Sequence, residues 1–165
     1  MAKENTFDVV SRVEMQEVDN AVNQATREMT TRFDFKGSKS SIVLNEDNLV
    51  ITGDDDFKLK SVREILEQKL VKRGISVKAL VYGKPEKAAG DTIRQKVDLI
   101  QGIDRDKARE MTKMVKDSKI KAQVTVQEDQ LRVSAKNRDD LQAVIKLLQD
   151  HDFGLPLQFV NYRTF

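Results

Sequence analysis

The sequence contains one pattern of residues twice, and this internal repeat limits the folds open to the chain more than any other feature. Glu46 to Thr52 matches Glu128 to Ser134 at a constant offset, and Gly74 to Tyr82 matches Gly154 to Tyr162 at an offset two residues shorter. The match is weak in residue identity but consistent in the order of apolar and polar positions. We therefore interpret the chain as a duplication of one small unit.

Each copy is predicted to form a strand, a helix, a β-hairpin, a second helix and a last strand. Strands are indicated by alternating apolar and polar residues, and helices by apolar residues spaced three and four apart. The predicted elements of the first copy are a strand at 7–13, a helix with Val18, Val22, Ala25, Met29 and Phe33 on its apolar face, a hairpin at 41–52 closed by Asp47 and Asn48, a helix that stops at Gly74, and a strand at 77–82.

The second copy repeats this order. Between the copies lies a stretch that contains Gly, Pro and charged residues, which favour a linker. We predict a first repeat at 1–83, a linker at 84–91 and a second repeat at 92–165. The predicted elements of the second repeat are a strand at 92–100, a helix at 104–116, a hairpin at 122–134, a helix between Asn137 and Gly154, and a strand at 157–162.

The element order βαββαβ is typical of the ferredoxin-like fold, in which a four-stranded antiparallel sheet carries two helices on one face. The predicted class is therefore α+β, with two such domains. The other face of each sheet stays open, and RNA-recognition modules, which share this arrangement, stack bases on aromatic residues there. The hairpin strands at 49–52 and 131–134 contain no aromatic residue, which disfavours that mode of RNA reading.

The two open faces differ in chemistry. In the second copy, alternation places Arg94 and Lys96 on this face, which suits either a solvated surface or a site for phosphate groups. In the first copy, the strands carry apolar residues on both faces, and Val43, Val50 and Leu80 are expected on the open face. Such a face needs a cover, and the other domain, a second subunit and a ligand with a flat apolar body such as a purine are all open.

Composition excludes several classes of function. The chain of 165 residues has no Cys and a single His, His151, so it cannot form a zinc–thiolate site or a multi-histidine zinc centre. The start of the sequence lacks the features of a signal peptide, and no stretch is long and apolar enough to span a membrane, so we expect a cytoplasmic protein. The formal net charge of +2 confines phosphate binding to a local group of cations.

A turn around Gly37 is the most distinctive local motif. Arg32, Lys36 and Lys39 surround it, together with several hydroxyl groups and backbone N–H groups that suit a phosphate. The stretch lacks the spacing of a P-loop, so it does not predict nucleoside triphosphate hydrolysis. A turn between helix and strand that binds nothing accounts for the same residues, and both interpretations stay open.

Five separated motifs, in one order along the chain, resemble the bacterial YajQ family. They are FDVVS at 7–11, TRFDFKG at 31–37, GDTIRQ at 90–95, RDDLQ at 138–142 and PLQFVNYR at 156–163. The resemblance covers essentially the whole chain. It implies a nucleotide-binding protein without enzymatic activity, whose ligands include RNA and guanine nucleotides. Some members act as cyclic-di-GMP effectors that contact transcription regulators, and the family fold is two ferredoxin-like domains that exchange their first strands.

The linker is compatible with such an exchange, because it spans about 30 Å when extended. The strand at 92–100 would then join the first sheet and the strand at 7–13 the second, although the sequence fits two separate domains equally well. In the exchanged arrangement, Arg94 and Lys96 lie beside the apolar face of the first copy. That mixture of cations and apolar side chains suits a nucleotide.

We therefore predict a regulatory protein that binds the phosphates of a nucleotide, such as GTP or cyclic-di-GMP, or of a short RNA such as tRNA. Catalytic residues, cofactors, metal ions and a membrane partner are not expected, and the resemblance adds transcription regulators as partners. The alternative is a protein-interaction adaptor that docks a partner through the apolar sheet face. The predicted phosphate contacts are Arg32, Lys36, Lys39, Arg94 and Lys96, with Phe35 and Tyr82 as candidates for base stacking.

Overall fold

The computed structural model describes residues 4–164. Residues 1–3 and 165, where the predicted first repeat begins and the predicted second repeat ends, lie outside the described residues. In the range 4–164 the helices and strands are β1 (Asn5–Val10), α1 (Met15–Thr31), β2 (Ser41–Leu44), β3 (Asn48–Gly53), α2 (Asp56–Lys72), β4 (Leu80–Tyr82), β5 (Glu86–Ala88), β6 (Thr92–Leu99), α3 (Arg105–Asp117), β7 (Gln123–Gln127), β8 (Gln130–Ala135), α4 (Arg138–Gln149) and β9 (Gln158–Arg163).

The chain divides into two compact units. The central unit is Val13–Ile100, and the terminal unit comprises the described residues up to Arg12 together with those from Gln101 onward. Each unit contains one antiparallel sheet and two α-helices. Across the described part of the chain, none of the helices has the length and apolar character needed to cross a membrane.

The sheet of the central unit has the strand order β2-β3-β6-β4, and the short strand β5 also pairs with β6. One face of this sheet packs against α1 and α2, because alternate residues of each strand are apolar. Leu49, Ile51 and Val97 from the strands and Val18 and Leu66 from the helices are fully buried in this core. The opposite face of the sheet carries the other set of alternating side chains.

The sheet of the terminal unit has the strand order β7-β8-β1-β9. Phe7 pairs with Val133 and Val9 pairs with Leu131 across β1 and β8, so all four side chains project from one face. They are buried, as is Met111 of α3. This unit therefore has a core of the same construction as the central one, a sheet face covered by two helices.

The first strand of each sequence repeat lies in the sheet of the other repeat. Strand β1 pairs with β8 and β9, whereas β6 pairs with β3 and β4. The predicted α+β class, with duplicated β-α-β-β units and two antiparallel sheets, is confirmed. Since β1 and β6 both place apolar residues on the face that meets the helices, each strand suits either sheet, and the sequence pattern does not distinguish the two arrangements.

The stretch at 84–91, which the sequence pattern predicts to be a linker, contains one arm of a hairpin. Residues 86–88 form β5, which pairs antiparallel with the beginning of β6. Residues 89–91 connect the two strands, and Gly90 and Asp91 have φ angles of 71° and 58°. Glycine adopts a positive φ without steric cost, which suits it to this turn. This hairpin adds a fifth strand to the central sheet beside the cations of β6.

Candidate functional site

Strand β6 brings two of the predicted phosphate contacts together. Gln95 and Val97 are buried on the helix side of the strand, whereas the alternate residues Arg94 and Lys96 are exposed on the open face. Their side chains start about 7 Å apart on the same face. Since β3 is the neighbour of β6, both cations stand beside a strand of the first sequence repeat.

Arg94 lies in a row with two hydroxyl side chains. It pairs across the strands with Thr52 of β3, which in turn pairs with Ser41 of β2. Residues directly opposed in neighbouring strands project from the same face, and each strand spacing is about 4.8 Å. The row thus places one guanidinium and two hydroxyl donors along a line that suits a series of phosphate oxygens.

The next row is cationic at one end and apolar at the other. Lys96 pairs with Val50, and Val50 pairs with Val43 at the sheet edge. The side chain of Val43 is 51% exposed, and Val50 is partly exposed. A ligand that combines a phosphate with a flat apolar ring would find suitable contacts for both parts in this row.

A shallow depression of about 510 Å³ begins at Arg94 of the first row and at Val50 and Lys96 of the second. One of its walls is the loop between β4 and β5, which adds a third cation, Lys84, that is not among the contacts predicted from the sequence. The signal was present in the sequence, because Lys84 lies in a Gly-Lys-Pro turn next to a strand. The residues that line the depression are Asn45, Asn48, Val50, Gly83, Lys84, Glu86, Arg94 and Lys96, so one carboxylate accompanies the three cations.

The cations of the open face have few partners within the chain. Arg94 forms no ion pair with any residue in the described range, and Glu86 of β5 is its cross-strand neighbour. Lys96 lies 3.5 Å from Asp98, and both side chains are more than half exposed. Exposed ion pairs of this kind contribute at most about 1 kcal/mol. A ligand therefore meets little competition for either cation.

The turn around Gly37 already holds an anion from within the chain. The carboxylate of Asp54 accepts hydrogen bonds from the hydroxyl of Ser38 and from the backbone N–H of Lys39, the latter at 2.8 Å. The hydrogen bonds from Ser38 and Lys39 lower the pKa of Asp54. The Ser38 hydroxyl and the Lys39 amide, which the sequence offers to a phosphate, thus already donate hydrogen bonds to Asp54 of the same unit.

Arg32 is bound by two carboxylates. Its Nη2 lies 2.9 Å from Asp34 and its Nη1 lies 3.2 Å from Glu28. The hydrogen bonds to Asp34 and Glu28 raise the pKa of Arg32 further above its ordinary value. The structure therefore places Arg32 in an intramolecular cluster and away from the open face on which Arg94 stands.

Phe35 is buried, and its ring packs in the core of the central unit. Cations of Arg32 and Lys58 lie 5.5 Å and 4.7 Å from the ring centroid. This position leaves no exposed ring face for a base. The exposed aromatic of the motif is instead Phe33, at 87%. The expectation that Phe33 belongs to the apolar face of α1 is wrong, because the helix ends at Thr31 and the chain turns away from the helix axis at an extended residue.

The two predicted lysines of the turn have different surroundings. The Nζ of Lys39 donates to the backbone carbonyl of Gly90 at 3.2 Å, at the turn that leads into β6. Lys39 therefore lies at the end of the sheet from which Arg94 projects. Lys36 is exposed and lines a separate depression of about 420 Å³, together with Phe35 and Ser41.

Tyr82 lies on the helix side of the sheet. It pairs with Val97, a buried residue, so its ring points away from the face that carries Arg94 and Lys96. Its hydroxyl donates to Glu67 of α2. Burial, together with this hydrogen bond, raises the pKa of Tyr82. The structure does not bring Tyr82 into the depression, so it offers no stacking surface to a ligand there.

Within residues 4–164, no group of three or more His, Asp or Glu side chains has an arrangement that could hold a metal ion. The open face combines hydrogen-bond donors, cations and apolar groups with two carboxylates, Glu86 opposite Arg94 and Asp98 beside Lys96. Their arrangement suits the binding of an anion with an attached ring.

Known proteins match this chain over nearly its whole length. A family model described as nucleotide-binding protein YajQ-like matches residues 5–163. The chain belongs to the YajQ family. Within this family, a nucleotide-binding protein from Desulforamulus reducens is 60% identical over 165 residues and 99% of each chain. Relatives with the same description from Desulfitobacterium hafniense and Bacillus cereus strain AH187 are 59% and 52% identical, each over 163 residues, 99% of this chain and 100% of the relative.

The motifs that resemble the YajQ family fall on defined parts of this structure. TRFDFKG contains the 3₁₀ turn Phe33–Phe35 at the end of α1, and PLQFVNYR contains β9. GDTIRQ contains the hairpin turn at Gly90 and the first half of β6. In this YajQ-family protein, the GDTIRQ motif therefore supplies both Arg94, on the open face, and its buried neighbour Gln95.

Proposed function

We propose that the open face of the central unit binds the phosphate groups of a nucleotide or of a short RNA, with Arg94 and Lys96 as the principal contacts. One observation carries the proposal: alternation along β6 exposes these two cations on the same face, next to hydroxyl and apolar rows. The description of the relatives as nucleotide-binding proteins supports it.

Each side chain has a distinct role in this proposal. The planar guanidinium of Arg94 donates two parallel hydrogen bonds to one phosphate, and the hydroxyls of Thr52 and Ser41 extend the line of donors. Lys96 and Lys84 act as compact charges on either side of the depression. The apolar surface of Val43 and Val50 receives one face of the base. Ligand specificity then depends on the polar groups at the rim.

The other predicted contacts receive different assignments. Lys39 supports the site from the hairpin turn, and Lys36 stays a candidate phosphate contact in its own depression. Arg32, Phe35 and Tyr82 are assigned to the folded structure, because their side chains are engaged by neighbouring residues. Phosphate binding in this unit thus relies on β6 more than on the Gly37 turn.

The proposed role is regulatory and without catalysis. Binding of GTP, cyclic-di-GMP or a short RNA such as tRNA would change the ability of the protein to contact a partner, such as a transcription regulator. We place this function in the cytoplasm, where such ligands occur. No step in the proposal requires a bond of the ligand to be broken, so a cofactor is not needed.

The test is titration of the protein with GTP, cyclic-di-GMP and a short single-stranded RNA at low and raised salt. The double variant Arg94→Ala/Lys96→Ala is compared with Lys60→Ala/Lys113→Ala, which removes two exposed helix cations and so changes the net charge equally. We expect the site variant to bind at least about tenfold more weakly, since a hydrogen bond to a charged group contributes about 1.5–3 kcal/mol. For RNA, the salt dependence should fall by about 1.4 in logarithmic slope. Equal affinities for the two double variants would contradict the proposal.

A protein-interaction adaptor is the second candidate. It is favoured by one observation: Val43 and Val81 are each about half exposed on the open face. An adaptor should lose its partner or its self-association when a carboxylate is introduced at this face. Light scattering of wild type and Val81→Asp across a concentration series distinguishes the two functions, because nucleotide binding through Arg94 requires no association between chains.

A further inference from the structure

Between the two cations of the proposed site, one polar side chain points into the core. Gln95 is 4% exposed and lies on the helix side of β6, where its neighbours along the strand are apolar. A buried amide lowers stability unless its donors and acceptor find partners. The hydrogen-bond partners of Gln95 therefore indicate its structural role.

Both ends of the Gln95 amide are engaged. Its Nε2 donates to the backbone carbonyl of Gly83 at 2.8 Å, and its Oε1 accepts a hydrogen bond from Arg63 of α2 at 3.1 Å. Gly83 begins the loop between β4 and β5, and the next residue is Lys84, which lines the depression. The side chain thus connects a helix on one face of the sheet to a loop that borders the other.

The same loop is held a second time by the strand. The backbone N–H of Gly83 donates to the carbonyl of Lys96 at 2.8 Å. A Cβ at position 83 would lie 3.3 Å from that carbonyl oxygen, so glycine allows the loop to close tightly on β6. Gly83 is therefore fixed at its amide by β6 itself and at its carbonyl by Gln95.

Gln95 is in turn held from the helix. The guanidinium of Arg63 lies 5.6 Å from the centroid of the Tyr82 ring, and the Tyr82 hydroxyl donates to Glu67. A tyrosine hydroxyl is protonated at neutral pH, and burial together with the bond to Glu67 raises the pKa of Tyr82 further. A continuous series of contacts therefore runs from α2 through Arg63 and Gln95 to the loop.

We infer that Gln95 is a positioning residue, which holds the Gly83–Lys84 loop against β6 and so fixes Lys84 over the open face. The inference about ligand affinity rests on the proposed function. The inference about the loop does not, because it follows from hydrogen bonds within the central unit. Two variants separate the contacts: Gln95→Leu removes both hydrogen bonds and keeps an apolar side chain in the core, whereas Gln95→Glu keeps an acceptor for Arg63 but cannot donate to Gly83.

The first experiment needs no ligand. Hydrogen exchange of backbone amides is followed by NMR in the wild type, in both Gln95 variants and in Gln68→Leu, a surface control on α2. We expect protection of the Gly83 amide to fall by about tenfold or more in both Gln95 variants, while the Val97 amide in the same sheet keeps its protection. Unchanged protection of Gly83 in Gln95→Glu would overturn the inference, and so would an equal loss at Val97, which would indicate general destabilisation.

The second experiment asks whether Gln95 acts through Lys84. Affinity for GTP and for a short single-stranded RNA is measured for Gln95→Leu, Lys84→Ala and the double variant. We expect each single variant to weaken binding about fivefold and the double variant to bind no more weakly than the weaker single one. Additive losses would overturn the positioning role. If the wild type binds neither probe, the proposed function fails, and the exchange experiment still decides whether Gln95 holds the loop.

Discussion

Asp8 and Arg132 face each other across strands β1 and β8 of the terminal unit, with Oδ1 of Asp8 2.9 Å from Nε of Arg132. Asn161 of β9 donates to the other carboxylate oxygen of Asp8 at 2.9 Å. Only 3% of the Asp8 side chain is exposed, so these bonds replace the water that its carboxylate loses on folding. One carboxylate therefore joins three neighbouring strands.

This relationship predicts a dependence of stability on pH. Burial raises the pKa of Asp8, but the hydrogen bonds from Arg132 and Asn161 outweigh it, and the pKa lies below the ordinary value. The stabilisation is complete above the pKa of the unfolded chain, about 3.9, and is lost as the pH falls through the lower pKa of the folded chain. We expect Asp8→Asn to lower the free energy of unfolding by about 1–3 kcal/mol at pH 7 and to make the acid part of the profile flatter.

Urea unfolding at pH 7 and at several acid pH values measures this effect. Asp117→Asn, at an exposed position at the end of α3, is the matched control and should unfold like the wild type. An Asp8→Asn protein with the stability and pH profile of the control would show that the contacts of Asp8 do not stabilise the sheet.

The two phenylalanines of the TRFDFKG motif should respond oppositely to substitution. Phe35→Ala removes a buried ring and is expected to lower the free energy of unfolding by about 3–5 kcal/mol. Phe33→Ala removes an exposed ring and should change stability by no more than about 0.5 kcal/mol. Urea denaturation of the two variants checks the difference. Equal losses would place Phe33 in the core.

Neighbouring residues of β4 should also differ. Leu80 is buried and pairs with Leu99, whereas Val81 is about half exposed and pairs with Asp98 on the open face. The interpretation of Leu80 as an open-face residue is therefore wrong, and Val81 occupies that position. We expect Leu80→Ala to lower the free energy of unfolding by about 2–5 kcal/mol and Val81→Ser to have a small effect. Thermal unfolding of both variants measures the two losses in stability. If the register of β4 were shifted by one residue, Val81→Ser would destabilise the protein more than Leu80→Ala.

Asp54 allows the Gly37 turn to be tested as a rival phosphate site. Asp54→Ala frees the Ser38 hydroxyl and the Lys39 amide and removes a negative charge. If phosphate bound in this turn, affinity for GTP would rise once the competing carboxylate was gone. Our assignment to β6 predicts a change of less than about threefold in affinity, together with a loss of about 1–3 kcal/mol in stability. Calorimetric titration of Asp54→Ala measures the first quantity, and urea unfolding the second.

The parts of the fold that depend on local periodicity could be predicted from the sequence. The positions of the helices and of the hairpin strands follow from apolar spacing, and the duplication follows from the repeat. Periodicity alone does not predict the exchange of β1 and β6, because the alternation of Phe7 and Val9 and that of Gln95 and Val97 both suit a strand in the middle of a sheet. The resemblance to the YajQ family is what implies the exchange. Partner choice between such strands is decided by long-range packing.

The residues of the candidate site could also be predicted only where they depend on local periodicity. Alternation was enough to place Arg94 and Lys96 on one face, because strand periodicity fixes which side chains project together. The occupation of the Gly37 turn by Asp54 is a contact between segments 15 residues apart, and no local pattern indicates it. The phase of β4 differs from that expected for a strand at 77–82, because residues 77–79 form a 3₁₀ turn and the alternation begins only at Leu80.

A chemical-shift map of the labelled protein during titration with GTP and with cyclic-di-GMP locates the binding surface directly. If the open face binds the ligand, the largest shifts occur at Thr52, Arg94 and Lys96 and at the loop residue Lys84, with saturation at a common ligand concentration. Shifts that are confined to the turn at 36–40, or to residues beyond Gln101, would contradict binding on the open face of the central unit.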